Sequence, residues 1–276
     1  MLFHLMMMYN NNGNLMQLKT RNFLLVSVLI LLISCDSGGV TDPDPDPDSN
    51  GEPPEFSFDH ERTPGASAVD FLISDDFNYL AIEVQYMEGY RPSDSALNNL
   101  QSFLEERLNK ASITIMEPEE ISAGGQNSYS ASDVRNIEQD NRSLFSEENH
   151  LTAYVLILDG EFDQENVLGI AHYNTSMALF GETIGRVSGG LGQPSRSVVE
   201  TTILNHEMGH LLGLVNNGVE MQEPHHDEEN GAHCDAESCL MYFAVNTTGF
   251  IANILGGNVP EPDDFCIADL QAAGGR

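Results

Sequence analysis

Basic side chains are scarce in this sequence. Its 276 residues include 11 lysines and arginines against 43 aspartates and glutamates, which gives a formal net charge of -32 at pH 7. Binding to nucleic acid needs clustered basic residues that neutralise phosphates, and electrostatic adhesion to an anionic lipid surface needs the same charge. The composition therefore argues against a nucleic-acid partner and against a charge-driven membrane contact.

Cysteine and long apolar runs are scarce as well. The chain has four cysteines, too few for a fold built on disulfide bonds. Its apolar run at 23–33 is shorter than the ~20 residues of an ordinary transmembrane helix. Hydrophobic residues still make up 41% of the chain, so there is enough apolar surface for the core of one large domain or two small ones.

The N-terminal segment has the pattern of a secretory signal. Lys19 and Arg21 precede the apolar run at 23–33, and a small residue, Ser34, comes before Cys35. The ending Leu-Ile-Ser-Cys resembles a bacterial lipobox, which implies that residues 1–34 are a lipoprotein signal peptide and that Cys35 is lipidated. A plain signal peptide that happens to contain Cys35 is the alternative. We expect a protein of the bacterial cell envelope, anchored to the membrane by lipid and facing out of the cytoplasm.

Residues 35–55 are predicted to form a stalk. Asp and Pro alternate from position 42 to 48, and such a segment cannot fold on itself because proline removes donors and the carboxylates repel one another. The folded domain is therefore predicted to span 56–276.

The rest of the chain alternates between strand and helix patterns. Strands are predicted at 80–86, 112–116, 151–158 and 167–173, and helices at 93–110, 132–141 and 195–214. After Gly213 the sequence is rich in turn residues, charges and histidines. This order predicts one α+β or α/β domain with an irregular C-terminal part.

The helix at 195–214 contains His206-Glu207-Met208-Gly209-His210. Residues four apart lie on the same face of a helix, so the imidazoles of His206 and His210 can reach one metal ion, and Glu207 can act on a water bound to it. The alternative is an exposed motif with no metal. The motif is flanked by apolar residues, Ile203, Leu204, Leu211 and Leu212. These neighbours predict a buried helix and so favour a metal site.

The continuation of this motif resembles the metzincin zinc peptidases. It matches the pattern His-Glu-x-x-His-x-x-Gly-x-x-His through Gly213, but Asn216 stands at the position of the last histidine. Further on, the spacing of His233, Cys234, Cys239 and Met241 resembles the archaemetzincin branch. The resemblance implies an α+β catalytic domain with a twisted mixed sheet, flanking helices, an active-site helix and a C-terminal turn around a methionine.

The same resemblance implies the zinc ligands. His206, His210 and His233 would hold the catalytic zinc, with Met241 packed beneath it and an open fourth position for water. Three other residues compete with His233 for the place of third ligand, all within the polar stretch at 217–232: His225, His226 and Asp227.

The remaining cysteines allow two interpretations. Archaemetzincins hold a second, structural zinc on four cysteines, and here Asp269 stands at the fourth position. Cys234, Cys239, Cys266 and Asp269 would then bind a second zinc. Alternatively, because exported proteins meet oxidising conditions, a disulfide joins Cys266 to the loop that carries Cys234 and Cys239.

The function that the resemblance implies is a zinc-dependent endopeptidase acting on extracytoplasmic proteins or peptides. Glu207 would be the general base, and the substrate would add as a strand along the edge at 169–175, where His172 is expected to be exposed. The acidic charge favours basic peptides. A non-catalytic zinc-binding surface or adhesion lipoprotein and a cell-wall amide hydrolase are the alternatives. We expect a monomer.

Overall fold

The computed structural model describes residues 56–251 and 258–276. Within these two ranges, no helix is both long and apolar enough to cross a membrane. The predicted signal peptide at 1–34, the lipidation site Cys35 and the stalk at 35–55 lie outside the described residues and stay predictions. All described residues belong to one compact unit, which begins at residue 52.

The helices and strands follow one another in mixed order. The strands are β1 (Tyr79–Met87), β2 (Ser112–Ile115), β3 (Glu119–Ile121), β4 (Ser128–Tyr129), β5 (His150–Leu158), β6 (Glu161–Phe162), β7 (Gly169–Tyr173) and β8 (Ser176–Phe180). The helices are α1 (Ala68–Leu72), α2 (Asp94–Arg107), α3 (Ala131–Asn141), α4 (Gly181–Val187), α5 (Arg196–Leu211), α6 (Thr248–Ile251) and α7 (Asp264–Ala272), with a 3₁₀ turn at Phe243–Asn246.

The main sheet is mixed, as predicted. Its strands run in the order β2-β1-β5-β8-β7, and β3 pairs with the far end of β1. Every pair in it is parallel except β7 with β8, which is antiparallel. A separate pair of short strands joins β4 and β6. The α+β, single-domain fold class predicted from the sequence is confirmed, and β7 forms one edge of the main sheet.

The core lies around the central strand β5. Eight consecutive residues of this strand are buried, Leu151 through Leu158, as the continuous apolar run predicted. Leu80, Ile82 and Val84 of β1 belong to the same core, since alternate residues of a strand share a face. Nearly all of α5 is buried too, so the helix with the histidine motif runs through the core.

Several elements were missing from the sequence prediction, among them β8 and α7. All five residues of β8 are buried, and this strand is too short and too uniform to show a period. α7 was expected to be irregular chain, but the Asp263 side chain caps the helix by accepting a hydrogen bond from the Cys266 backbone N–H at 2.9 Å. The prediction of an irregular C-terminal part is therefore wrong for 264–272.

Candidate metal centre and cleft

The helix α5 ends at Leu211, three residues before the predicted end at 214, and the chain turns at Gly213. Gly213 adopts φ +87°, and a Cβ there would lie 2.8 Å from the Cβ of Ala68 and from the backbone nitrogen of Val219. Only glycine fits this turn without strain. The turn directs the chain away from the helix and leaves Asn216 exposed, apart from the histidines.

Three imidazoles meet at the end of α5. The ring centroids of His206 and His210 are 4.9 Å apart, those of His206 and His233 are 5.3 Å apart, and those of His210 and His233 are 4.9 Å apart. One nitrogen of each ring lies within 4.8 Å of the others, so the three residues could hold one metal ion. Sequence spacing placed two of them on one helix, and the fold adds His233 from a distant loop.

Backbone carbonyls orient all three rings. Each Nδ1–H donates to a carbonyl: His206 to Leu240 at 2.7 Å, His210 to Leu214 at 3.3 Å and His233 to Asn230 at 2.7 Å. Since a carbonyl can only accept, each Nε2 keeps its lone pair. The Nε2 of His206 is buried and has no hydrogen-bond partner among the described residues. Imidazoles fixed in this way by a second hydrogen bond are the usual ligands of zinc, so the residues present fit this ion.

The imidazoles are held in the neutral form that ligates metals. Burial, with a smaller contribution from repulsion by His233, lowers the pKa of His206 to about 3. Burial also puts the pKa of His210 well below its usual value, with His206 and His233 adding to the effect. The pKa of His233 is lowered as well, chiefly by burial. At neutral pH, the Nε2 atoms of the three histidines therefore present lone pairs, not protons, to the position that a metal ion would occupy.

The three residues that compete with His233 for the place of third ligand, His225, His226 and Asp227, have other partners. His226 donates from Nε2 to the Gly231 carbonyl at 2.6 Å. The Asp227 carboxylate closes a turn by accepting from the Glu229 backbone N–H at 3.1 Å and from the Asn230 side chain at 2.7 Å. His225 belongs to a second cluster, described below. This turn holds the carbonyl of Asn230 against His233, so the inserted stretch presents His233 to the helix.

Met241 packs directly under the helix. The residue is fully buried, and a Cβ on Gly209 would lie 2.3 Å from the Met241 sulfur. Position 209 lies between the two helical histidines, so Met241 forms the floor of the site. The backbone carbonyl of Met241 also accepts from the Cys234 N–H at 2.8 Å, which ties this floor to the residue that follows His233.

Glu207 is buried beside the three rings and opens to the cleft. Burial raises its pKa to about 8, although a hydrogen bond from the Ala171 backbone opposes the rise. The Asn246 side chain donates to Glu207 Oε1 at 2.7 Å. A carboxyl group whose pKa lies near neutrality is suited to take a proton from water and to return it.

Asn246 is a residue that the sequence analysis missed. Its side-chain amide pairs with the backbone of Gly169 in both directions, donating to the carbonyl at 2.7 Å and accepting from the N–H at 2.9 Å. The same amide nitrogen reaches Glu207, so one side chain joins the start of β7 to the carboxylate. No local pattern marks Asn246, because its partners are distant in sequence and the 3₁₀ turn carries no motif.

Two of the three histidines, His210 and His233, line an open cleft of about 440 Å³ together with Glu207. The residues of β7 from Gly169 to His172 form one wall, and Glu207, His210 and His233 line the cleft beside them. The wall is an edge strand, so its outward backbone groups are free to pair with another strand wherever Asn246, Glu207 and Arg135 do not occupy them.

The expectation that His172 is exposed is wrong. Its side chain is buried, and Nε2–H donates to Glu138 Oε2 at 2.6 Å. Burial would raise the pKa of Glu138, but hydrogen bonds from His172 and Ser176 and the charge of Arg142 outweigh it and lower the pKa. This buried pair, formed with α3, anchors the end of the edge strand.

A second cluster lies behind the loop that carries His233. One donor atom from each of His225, Cys234, Asp263 and Cys266 lies within 4.8 Å of the others, so these four could hold a metal ion. Cys239 adjoins them, with its sulfur 3.6 Å from that of Cys266. Hydrogen bonds from the Cys234 and Cys266 thiols lower the pKa of Cys239 to about 4.

The structure differs from both sequence interpretations of this cluster. Cys234, Cys239 and Cys266 are free thiols, so the expected disulfide is not formed. Asp269 does not face the sulfurs, because its carboxylate accepts from the Gln222 backbone N–H at 2.7 Å and from His225 Nε2–H at 2.8 Å. His225 takes the place expected for Asp269, with Nδ1 3.4 Å from the Cys234 sulfur.

Comparisons with known proteins show remote similarities. No family model matches the sequence. The crystal structure of archaemetzincin from Methanopyrus kandleri aligns with a TM-score of 0.47 at 15% identity, covering 71% of this chain and 95% of that one. The crystal structure of metalloproteinase-II from Bacteroides fragilis aligns with a TM-score of 0.41 at 14% identity, covering 75% of this chain and 60% of that one. This chain is similar to both in backbone outline.

Proposed function

We propose that this protein is a zinc-dependent endopeptidase of extracytoplasmic proteins or peptides. His206, His210 and His233 would hold the zinc, and Glu207 would serve as the general base. One observation carries the proposal: three imidazoles whose Nδ1 atoms are bonded to carbonyls turn their Nε2 atoms to one point, beside a buried carboxylate in an open cleft. A purely structural metal site has no use for that carboxylate.

The chain's own groups supply the proton transfers. When bound, zinc would polarise the scissile carbonyl and lower the pKa of a coordinated water toward about 7. Glu207 accepts the proton of the attacking water and passes it to the leaving nitrogen. The hydrogen bond from Asn246 at 2.7 Å keeps the carboxylate oriented between the two transfers.

The edge strand β7 supplies the substrate's backbone partners. Peptides commonly bind by adding a strand to an exposed sheet edge. Asn246 already occupies the outward N–H and carbonyl of Gly169. An added peptide would therefore pair beyond Gly169. It would begin at the Ala171 carbonyl, because the Ala171 N–H bonds to Glu207 and the His172 carbonyl accepts from Arg135, and its reacting bond would lie close to Glu207.

Incubation of the purified protein with a diverse peptide library tests this function. We expect internal peptide bonds to be cut, a chelator to stop the cleavage and added zinc to restore it, all read by mass spectrometry. Zinc binding without any cleavage would favour the alternative of a non-catalytic surface protein. Cleavage confined to cell-wall peptide links would favour the amide hydrolase.

We also propose that the second cluster binds a structural zinc through His225 and the thiolates of Cys234, Cys239 and Cys266. Thiolate and imidazole are the ligands of structural zinc sites. Backbone N–H groups of Met241 and Asp263 donate to the Cys239 sulfur at 3.3 and 3.4 Å, and Asp269 orients His225 as an outer carboxylate. Because Cys234 follows His233 directly, this ion would fix the loop that presents the third catalytic ligand.

Metal content and thiol counts test the second ion. We expect two zinc ions per chain in the wild type and one in His225→Ala, because the latter loses only the structural site. In a chain carrying Cys35→Ser, purified without reductant and then denatured with a chelator, we expect three free thiols. One free thiol, or two zinc ions retained by His225→Ala, would contradict this assignment and favour a disulfide.

A further inference from the structure

Arg135 carries the positive charge of the cleft. It lies on α3 one turn after Ala131, and both residues line the cleft together with Glu207. Among the described residues that line it, Arg135 is the one lysine or arginine and Glu207 is the one aspartate or glutamate. The acidic residues at 220–237 do not line it. The cleft therefore lacks the negative wall that a preference for basic peptides requires.

Arg135 also differs from most arginines in forming no ion pair with a carboxylate among the described residues. Six others in the described part of the chain form ion pairs with carboxylates: Arg62, Arg91, Arg107, Arg142, Arg186 and Arg196. Arg276 donates instead to the side chain of Asn109 and to the backbone carbonyl of Glu105. Glu61 and Glu138 line a neighbouring pocket with Arg135 but form no ion pair with it, so its guanidinium is available to a ligand in the cleft.

The guanidinium is held in place by the end of the edge strand. Its Nη2 donates to the His172 carbonyl at 3.2 Å, and its central carbon lies 5.0 Å from the centre of the Tyr173 ring. His172 is itself anchored by Glu138. A guanidinium has five N–H donors, so most of them stay available for a carboxylate, which it can bind through two parallel hydrogen bonds.

The position of Arg135 along β7 determines which part of a peptide it would meet. Glu207 faces the start of the strand, since a Cβ on Gly169 would lie 3.1 Å from the Cγ of Glu207. Arg135 faces its other end, at His172 and Tyr173. A peptide paired antiparallel to β7, the slightly more stable arrangement, would place its N-terminal half beside Arg135, about two to four residues before the reacting bond at ~3.3 Å per residue.

We propose that Arg135 is a specificity-determining residue that binds an acidic side chain on the N-terminal side of the cleaved bond. This inference rests on the proposed peptidase function. It reverses the preference for basic peptides that the overall charge suggests, because Arg135 is the one charged residue other than the general base among the described lysines, arginines, aspartates and glutamates that line the cleft.

Matched peptides test the inference. They differ only in one residue about three positions before the cleaved bond, which is Glu, Gln or Lys, and a fourth peptide carries Glu on the other side of the bond. We expect kcat/KM to be about five-fold higher for Glu than for Gln, the upper range for an exposed ion pair, and lowest for Lys. The Glu placed after the bond should give no gain. High salt should reduce the difference.

Charge variants distinguish a direct effect of Arg135 on the substrate from an effect of the protein's net charge. Arg135→Gln should cleave the three peptides equally, and Arg135→Glu should reverse their order. Arg91→Gln, an exposed arginine that does not line the cleft, removes the same charge and should keep the wild-type preference. Equal rates in the wild type, or a preference unchanged in Arg135→Gln, would overturn the inference.

A binding measurement distinguishes failure of this inference from failure of the proposed function. In the Glu207→Ala background, fluorescence anisotropy should show tighter binding of the Glu peptide than of the Gln peptide, and Arg135→Gln should abolish that difference. Such binding without any cleavage by the wild type would support Arg135 and contradict the peptidase. Equal affinities, or no binding of any peptide, would overturn the role of Arg135.

Discussion

Replacing Glu207 with alanine should lower kcat/KM for peptide cleavage by about 1,000-fold or more while zinc stays bound. General base catalysis contributes roughly 10²–10⁴ in rate, and no other carboxylate among the described residues lines the cleft to replace it. The zinc ligands keep their carbonyl partners in this variant, because none of those hydrogen bonds involves Glu207. Steady-state kinetics and metal analysis on the same preparation measure both parts.

Glu200 offers the matched control on the same helix. It is also buried, but its carboxylate bonds to Arg196 at 2.6 Å and to the Ser93 N–H at 2.9 Å, away from the cleft. Glu200→Gln should therefore retain turnover, with any loss appearing as lower stability. If Glu207→Ala kept the rate of the wild type, Glu207 would not be the base and the mechanism would be wrong.

Replacing His233 with alanine should weaken binding of the catalytic zinc by more than 100-fold. Changes to groups that merely orient a ligand cost about 10–100-fold in metal affinity, so loss of a ligand costs more. The loop itself should stay folded, since the His233 backbone carbonyl still accepts from the Asp227 N–H at 2.9 Å. Zinc affinity measured by competition with a chromophoric chelator gives the value, and turnover at limiting zinc should fall in parallel.

His226→Ala is the control for His233. His226 lies in the same loop, and its Nε2 donates to the Gly231 carbonyl rather than facing the other histidines. We expect this variant to bind the catalytic zinc as the wild type does. The opposite result, with zinc lost in His226→Ala and kept in His233→Ala, would assign the third ligand to His226.

Features that depend on residues close together in the sequence could be predicted from it. The motif from His206 to His210 lies within one helix, where spacing alone puts both imidazoles on one face. The apolar run at 151–158 predicted the central strand, and the glycine at 213 indicated the turn, where the structure has a positive φ. His233 required the spacing to Met241 that the metzincin resemblance supplied.

Features that depend on contacts between residues far apart in the sequence could not be predicted. His172 looked like an exposed strand residue, because nothing nearby in sequence shows that Glu138 on α3 would pair with it. Asp269 looked like a metal ligand, because its bond to His225 joins residues 44 positions apart. The roles of these side chains depend on partners that only folding brings together.

The most direct test of the central claim is anomalous diffraction at the zinc absorption edge from crystals of the protein grown with zinc. We expect a peak about 2.0–2.1 Å from the Nε2 atoms of His206, His210 and His233, the normal zinc–imidazole distance, on the cleft side next to Glu207. A peak at the cysteine cluster alone, with none between the three histidines, would contradict this expectation.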